Sequence, residues 1–171
     1  MEILTVESKE SEKFLRNKTK DFDFSKYSKK EVKELIAEMK ATMRLADGIG
    51  LAGNQIGINA KIFVAEIPGN QKSRGKFYAV FNPKIIKSEG EETDFEEGCL
   101  SGPKTFGKVK RPTNVVLEGM DANEKKIKIK AWGLLARIFQ HEMDHLNGTL
   151  FIDKAKEIHI LETRSKNQEI K

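Results

Sequence analysis

The chain has 171 residues, of which 38% are hydrophobic and 33% are charged, so it fits one globular domain with its own core. Its net charge of +5 is spread among interleaved acidic residues, and we expect only weak, salt-sensitive attraction to nucleic acid and no stable binding. No apolar run approaches the roughly 20 residues of a membrane span. The acidic start of the chain is unlike a targeting segment. We therefore expect a cytoplasmic protein without a membrane partner.

The first half of the chain predicts one helix followed by a glycine-rich loop and short strands. Residues 7–27 are polar and lack a clear period, which is typical of a loop or a poorly ordered arm. Ser28 and Glu31 have the spacing of a capping box, and apolar residues follow at helical intervals until Gly48. The glycine-dense residues 48–57 predict a loop. Strands are predicted beyond it at 60–66, 77–81 and 84–87.

The second half of the chain begins with a predicted loop and a hairpin. Residues 88–98 are acidic and contain glycine, so we expect a loop that leads into Cys99. Ile127 and Ile129 alternate with lysines, which predicts a strand with one buried face and one solvent-exposed face. The predicted hairpin pairs residues 114–120 with residues 126–130.

A helix near the C-terminus completes the predicted fold. Residues 132–147 carry apolar side chains at helical spacing, and the following glycine is typical of a helix end. A short strand is predicted at 149–152 and a C-terminal helix or tail at 153–171. The sequence contains no repeat and no internal boundary, so residues 1–171 are expected to form a single domain. Short antiparallel strands packed around one central helix indicate an α+β fold.

This helix carries the most informative motif of the sequence, at residues 141–145. Residues four apart lie on one helix face, so His141 and His145 can direct their imidazoles at one point. Glu142 follows the first histidine and can reach a water on a bound metal. The chain has only three histidines, so this spacing favours a metal-dependent hydrolase over a core helix that carries histidines by chance.

A third protein ligand is needed, because catalytic sites of this kind usually have three. Phe151 occupies the position of the third histidine of one protease class and cannot bind a metal, while Glu157 and Glu162 follow the motif too closely. Cys99 remains, although a single cysteine can also be a small buried side chain or a nucleophile. A nucleophile would leave the paired histidines unexplained. A thiolate with two imidazoles suits Fe(II), Zn(II), Co(II) or Ni(II).

Three segments together resemble the motifs of the peptide deformylase family: GIGLAGNQ at 48–55, EGCLS at 97–101 and QHEMDHLNG at 140–148. The resemblance implies an α+β fold with a metal site on the central helix. It also implies removal of the formyl group from the N-terminal formylmethionine of newly made polypeptides, with Fe(II) as the usual metal and Ni, Co or Zn able to replace it. The implied metal ligands are Cys99, His141 and His145.

The resemblance also implies roles for residues around the metal. Glu142 would take a proton from the attacking water, which the metal makes available as hydroxide, and deliver it to the departing amine. The side-chain amide of Gln55 and the backbone N–H of Leu100 would stabilise the oxyanion. Gly50 would let the backbone approach and pair with the substrate. Candidates for an apolar methionine pocket, which could equally be core residues, are Ile49, Leu134, Ile138 and Phe106.

Three positions depart from the pattern of the family. Alanine is usual where this chain has Gly53, and proline or threonine is frequent at the position of Asn54. Many relatives have a polar residue near Phe106, so this phenylalanine places any polar contact with the peptide beyond methionine in doubt. The first two departures leave the expected metal chemistry unchanged.

The ligands also need supporting hydrogen bonds. We expect Glu97 to pair with Arg111, and Asp144 to orient a ligand or to secure the helix. Two alternatives to a deformylase are a small metallopeptidase and an inactive, metal-bearing protein associated with the ribosome. The expected partners are N-formylmethionyl nascent peptides, and the resemblance also implies transient contact with the ribosome.

Overall fold

The computed structural model describes residues 1–69 and 75–161, which form a six-stranded antiparallel sheet and three α-helices. The helices are α1 (Lys9–Leu15), α2 (Lys29–Leu45) and α3 (Gly133–Leu146). The strands are β1 (Gly50–Ala52), β2 (Ile62–Ile67), β3 (Lys76–Cys99), β4 (Gly102–Met120), β5 (Lys126–Trp132) and β6 (Lys156–Ile160). Strands β1 to β5 are neighbours in chain order, and β6 pairs with a second part of β4. This architecture confirms the predicted α+β fold.

The central helix α3 packs one face against the sheet. Phe139 is fully buried, and its ring lies 5.4 Å from the rings of both Phe63 and Tyr78, measured between centroids. Complete burial of such a side chain contributes roughly 1.5–3 kcal/mol to folding. A second apolar cluster, which includes Met39, Met43 and Phe81, lies under α2. Within the described ranges, every helix is too short or too polar to cross a membrane.

Helix α2 and the predicted hairpin agree with the sequence analysis. Ser28 accepts a hydrogen bond from the backbone N–H of Glu31, and the Glu31 carboxylate accepts one from the backbone N–H of Ser28. This reciprocal capping box is the predicted start of the helix. Strands β4 and β5 pair between Asn114 and Met120 with a short turn, as predicted. Both features are encoded by neighbouring residues.

Strands β3 and β4 form one long hairpin, and the prediction of a loop at 88–98 was wrong. Asp94 lies opposite Lys110 in this hairpin. Glu96 similarly lies opposite Lys108. Opposite charges that face each other across an antiparallel pair stabilise it. The acidic segment thus forms a strand by pairing with β4, a partner strand that follows later in the chain.

The segment at 7–27, predicted to be a loop or arm, contains α1 and a short 3-10 helix at Phe24–Lys26. The Ser8 hydroxyl caps α1 by accepting a hydrogen bond from the backbone N–H of Ser11. The hydroxyl and the backbone N–H of Thr19 both donate to the Leu146 carbonyl at 2.9 Å. The arm is thus attached to the C-terminal end of α3, a contact between distant residues that local periodicity does not show.

The C-terminal prediction also needs correction. The expected strand at 149–152 is replaced by a 3-10 helix at Phe151–Asp153, and a strand, β6, stands where a C-terminal helix was expected. β6 pairs with β4 through Thr105 and Phe106. This pairing provides hydrogen-bond partners for backbone N–H and C=O groups at an edge of β4 that would otherwise be unpaired. Residues 162–171 of the predicted helix or tail lie outside the described part of the chain.

Candidate metal centre and catalytic cleft

The three predicted metal ligands meet at the junction of β3 and α3. Cys99 is the last residue of β3, and His141 and His145 lie one turn apart on α3. The Cys99 Sγ atom lies 3.0 Å from His145 Nε2, which lies 3.2 Å from His141 Nε2. All three donor atoms lie within 4.8 Å of one another. This arrangement brings one sulfur and two nitrogens to a single point.

The donor atoms fit a divalent metal ion. Ligands at the usual sulfur and nitrogen distances from one tetrahedral ion lie about 3.4–3.6 Å apart, only slightly farther than these atoms. Burial raises the pKa of the Cys99 thiol, but the charge of His145 and hydrogen bonds with both histidines outweigh it, so the pKa lies well below the ordinary value. This lowered pKa favours the thiolate, the form that binds metals.

A buried carboxylate orients the first histidine. His141 Nδ1 lies 3.0 Å from Glu97 Oε2. Burial raises the pKa of Glu97, but hydrogen bonds from His141 and Arg111 and the charge of Arg111 outweigh it and lower this pKa to about 2. An ionised carboxylate only accepts hydrogen bonds, so His141 Nδ1 carries the proton and Nε2 is left for the metal.

The predicted pair of Glu97 and Arg111 is confirmed. The Arg111 Nε and Nη2 atoms donate to the two oxygens of Glu97 at 2.6 and 2.9 Å. Arg111 Nη1 donates to Asp144 Oδ2 at 2.8 Å, which shows how Asp144 secures the helix. Lys154 adds a bond to the other Asp144 oxygen at 2.5 Å. Charge-assisted bonds of this bidentate kind hold Glu97, and through it His141, in one orientation.

Glu142 is buried beside the three ligand atoms and lines the same cleft. Its Oε2 atom has no hydrogen-bond partner among the described residues. Burial raises the pKa of Glu142 to about 7, while the nearby histidine charges oppose this rise. A carboxyl with such a pKa can both accept and return a proton near neutral pH, although a bound cation would lower its pKa.

Gln55 lies beside the sulfur of Cys99. Its Nε2 atom donates to Ser101 Oγ at 3.1 Å and lies 3.6 Å from Cys99 Sγ. Its Oε1 atom accepts from the backbone N–H of Ala52 at 2.9 Å, which fixes the direction of the amide. Leu100 lines the same cleft. The structure therefore brings Gln55 and Leu100 to the metal centre, with the amide N–H group of Gln55 directed at it.

The cleft in front of the metal centre has a volume of about 670 Å³. Gly50 lines the cleft, and a Cβ atom at this position would collide with Glu142 Oε1. A side chain at this position would therefore displace the carboxylate. All five residues predicted to bind the substrate line this cleft: Ile49, Gly50, Leu134, Ile138 and Phe106.

Comparison with known proteins now identifies the family. The sequence model of the polypeptide deformylase family matches residues 1–160. The chain belongs to this family. It is 44% identical over 129 residues to the peptide deformylase of Halothermothrix orenii, an alignment that covers 75% of this chain and 80% of that protein. It is 36% identical over 178 residues to that of Chloroflexus aurantiacus, covering 98% and 93%.

The fold of the deformylase matches solved structures as well. The structure of a peptide deformylase from Synechococcus elongatus in complex with actinonin superimposes with a TM-score of 0.81 at 35% identity. The match covers 92% of this chain and 81% of that one. A probable peptide deformylase from Synechococcus phage S-SSM7 gives 0.80 at 36% identity, covering 90% and 99%.

Two positions that depart from the family pattern have structural roles in this deformylase. Asn54 is buried, and its Nδ2 atom donates to the carbonyls of Leu15, at 3.1 Å, and His145, at 2.6 Å. It therefore ties the end of α1 to the backbone of His145, one of the predicted metal ligands. A Cβ atom at Gly53 would lie 2.8 Å from the carbonyl oxygen of Ala60. Glycine at this position lets the two backbone segments pack closely.

The third departure, Phe106, supports the strand that carries Cys99. Its ring stacks on His159 with 5.9 Å between centroids and covers Gly98, where a Cβ atom would lie 2.7 Å from the ring. Phe106 thus forms part of the cleft wall rather than a polar contact. The contact of Phe106 with β6 was not predicted, because residues 153–171 were expected to form a helix or tail.

Arg137, which was not predicted from the sequence, belongs to the hydrogen-bond network around Glu97. Its Nη1 atom donates to Glu97 at 2.8 Å and to the Val109 carbonyl at 2.9 Å. Arg137 precedes His141 by four residues, so helical spacing alone places it on the face that carries the metal ligands. Ser101, the partner of the Gln55 amide, was also missed although it lies within the second motif.

Proposed function

We propose that this deformylase uses Glu142 as its proton carrier and uses Gln55 and the backbone of Leu100 as oxyanion donors. As a member of the family, the chain is a metal-dependent hydrolase that removes the N-formyl group from nascent peptides. The observation that supports the proposed roles best is the convergence of Cys99, His141 and His145 beside a buried carboxyl that lacks a hydrogen-bond partner among the described residues.

Cys99, His141 and His145 would hold the metal, for which we propose Fe(II). One thiolate and two imidazoles form a donor set of intermediate softness, which suits Fe(II) and also accepts Zn, Ni or Co. When bound, the metal acts as a Lewis acid that lowers the pKa of a water molecule and polarises the formyl oxygen. Glu97 and Arg111 support this set by keeping the proton of His141 on Nδ1.

Glu142 would move the proton that the reaction requires. It takes a proton from the attacking water and donates it to the amine nitrogen as the carbon–nitrogen bond breaks, so that formate and a free methionine amine are released. Burial raises the pKa of Glu142, which favours the return of the proton, while the charge of a bound metal would lower this pKa and favour the carboxylate that accepts it. The free Oε2 atom offers the acceptor for the first transfer.

Gln55 and Leu100 would stabilise the negative charge that develops on the formyl oxygen. The Gln55 amide is held by Ala52 and Ser101, so little reorganisation is needed when charge appears. The substrate backbone would run along β1 beside Gly50, with the methionine side chain among the apolar cleft residues Ile49, Leu134 and Ile138.

For the cellular setting, we propose that the enzyme acts in the cytoplasm on N-formylmethionyl nascent peptides and contacts the ribosome transiently. The membership of the family supports this assignment. Peptides emerging during synthesis are the source of the N-formylmethionine substrate.

Purified enzyme should release formate from formyl-Met peptides and leave internal peptide bonds intact. The measurement is formate release with mass analysis of the remaining peptide, and acetyl-Met peptides of the same sequence serve as the matched control substrate. Cleavage of internal bonds would instead indicate a metallopeptidase. An enzyme that holds its metal but releases no formate would contradict the proposed function.

Replacing Gln55 by alanine should lower kcat by roughly 10²–10³ while the metal content stays unchanged. The variant loses the amide that we assign to the oxyanion but keeps all three metal ligands. Steady-state kinetics and metal analysis of the same sample provide the measurement. Ser101→Ala is the matched control, because it removes a hydrogen-bond partner of Gln55 and leaves the amide donor in place. Unchanged turnover in Gln55→Ala would exclude Gln55 from the mechanism.

A further inference from the structure

One face of the sheet is exposed where β3, β4 and β5 lie side by side. Side chains of a strand point alternately to opposite faces, and in β5 the exposed and less exposed residues alternate in this way. The exposed set on one face is Lys126, Lys128, Lys130 and Trp132. Trp132 is 72% exposed, an unusual setting for the largest apolar side chain. An aromatic ring in a row of lysines is therefore displayed to solvent.

The register of the sheet adds further groups to this face. Lys87 of β3 lies opposite Val116 of β4, which lies opposite Lys130 of β5. Lys87 and Lys130 are therefore two strands apart, about 10 Å. A groove of about 400 Å³ crosses the face, and Trp132 and these lysines line it. The face has both a concave shape and a flat aromatic wall.

The charge of this face is positive after its ion pairs are counted. Lys128 pairs with Glu118 at 3.1 Å, and Lys87 pairs with Glu89 at 2.5 Å. Among residues 1–69 and 75–161, no carboxylate lies within ion-pair distance of Lys126 or Lys130. Glu89 also lines the groove, where it is paired with Lys87. An anion that enters the groove thus meets Lys130, which lacks an ion-pair partner among the described residues, and Lys126 lies farther along the same face.

We propose that this face, formed by Lys87, Lys126, Lys128, Lys130 and Trp132, binds single-stranded RNA. A base would stack on the Trp132 ring, the neighbouring phosphate would contact Lys130, and a phosphate farther along the RNA strand would contact Lys126. Stacking on an aromatic ring combined with a basic groove is the usual way in which proteins bind single strands without sequence preference. A sheet face with exposed aromatics is one of the surfaces that serve this purpose.

Single-stranded RNA fits this face better than an acidic peptide does. Lysines alone would attract either polyanion, but the exposed indole adds little to the binding of carboxylates, whereas every base offers it a stacking partner. The face also lies apart from the catalytic cleft, since none of its five residues lines that cleft. RNA binding and formate release are therefore separately measurable.

The experiment uses the intact enzyme and an oligouridylate of about 12 nucleotides at roughly 50 mM salt. The chain contains one tryptophan, so its intrinsic fluorescence reports Trp132 directly. We expect saturable quenching of this emission by the RNA. Polarisation of labelled RNA should show binding at least about fivefold weaker for Trp132→Ala, with Trp132→Phe close to the wild type.

Two double variants that remove the same charge distinguish RNA binding at this face from attraction by the net charge of the protein. Lys126→Ala/Lys130→Ala should weaken binding and reduce the slope of log K against log salt by about 0.7 for each lysine removed. Lys29→Ala/Lys33→Ala removes the same charge from the exposed side of α2 and should have little effect. All variants should release formate at the wild-type rate, which confirms that each one is folded.

Three results would overturn the proposal. The first is the absence of any change in Trp132 fluorescence on addition of the RNA. The second is an equal loss of binding in Lys29→Ala/Lys33→Ala, which would indicate attraction by net charge alone. The third is tighter binding of an oligoglutamate peptide than of the oligouridylate, which would make the face a protein-binding surface.

Discussion

Glu142→Gln is expected to lower turnover by about 10²–10⁴-fold while the metal remains bound. Glutamine keeps the shape of the side chain but cannot take a proton from water or return one to the amine. The three ligand atoms are unaffected, because they come from other residues. Formate release and metal content measured on one preparation give the result, and Glu142→Ala should behave in the same way.

The neighbouring residue provides a control for this variant. Met143 is a partly buried core residue of α3, and Met143→Leu conserves volume, so it should keep nearly full activity. Loss of metal in Glu142→Gln would show that the carboxyl supports the site structurally. Wild-type turnover with the metal retained would show that another group carries the proton.

Cys99→Ala is expected to abolish both activity and metal binding. Removal of the thiolate leaves two imidazoles, fewer than the three protein ligands of a typical catalytic site. Metal analysis of anaerobically purified protein should show a near-stoichiometric ion in the wild type and almost none in the variant. Because a ligand that binds only the folded state stabilises it, a chelator should lower the Tm of the wild type and leave that of Cys99→Ala unchanged.

This experiment also separates the two remaining roles of the cysteine. A metal ligand predicts loss of the ion in Cys99→Ala and likewise in His145→Ala. A nucleophile predicts that Cys99→Ala keeps its ion and loses only turnover. Full metal content in Cys99→Ala would therefore contradict the role of Cys99 as a metal ligand, which we infer from the 3.0 Å between Cys99 Sγ and His145 Nε2.

Sequence reasoning was most successful where the physical cause is local. The spacing of His141 and His145 fixes their common face because a helix repeats every 3.6 residues. The capping box at Ser28 and the alternation in β5 are equally local, and the structure shows both. The single cysteine was predicted as the third ligand because few other residues in the chain had suitable chemistry, and its sulfur lies close to both histidines.

Sequence reasoning was wrong where structure depends on a distant partner. The acidic residues 88–98 have the composition of a loop, and they become a strand because the basic residues of β4 lie opposite them. Residues Lys156–Ile160 form a strand because β4 offers them an open edge. In both places cross-strand pairing outweighs local propensity, which is weak in strands.

The sequence by itself determined the chemistry of this deformylase: a metal on the helix with Glu142 beside it, and the family to which these motifs belong. Only the tertiary structure decided how that chemistry is supported. It brought Arg111, Arg137 and Glu97 together behind His141, attached Asn54 to His145, and gathered lysines from separate strands around Trp132. The physical reason is that covalent spacing sets the neighbours within a helix turn, whereas packing and strand register set the neighbours between elements.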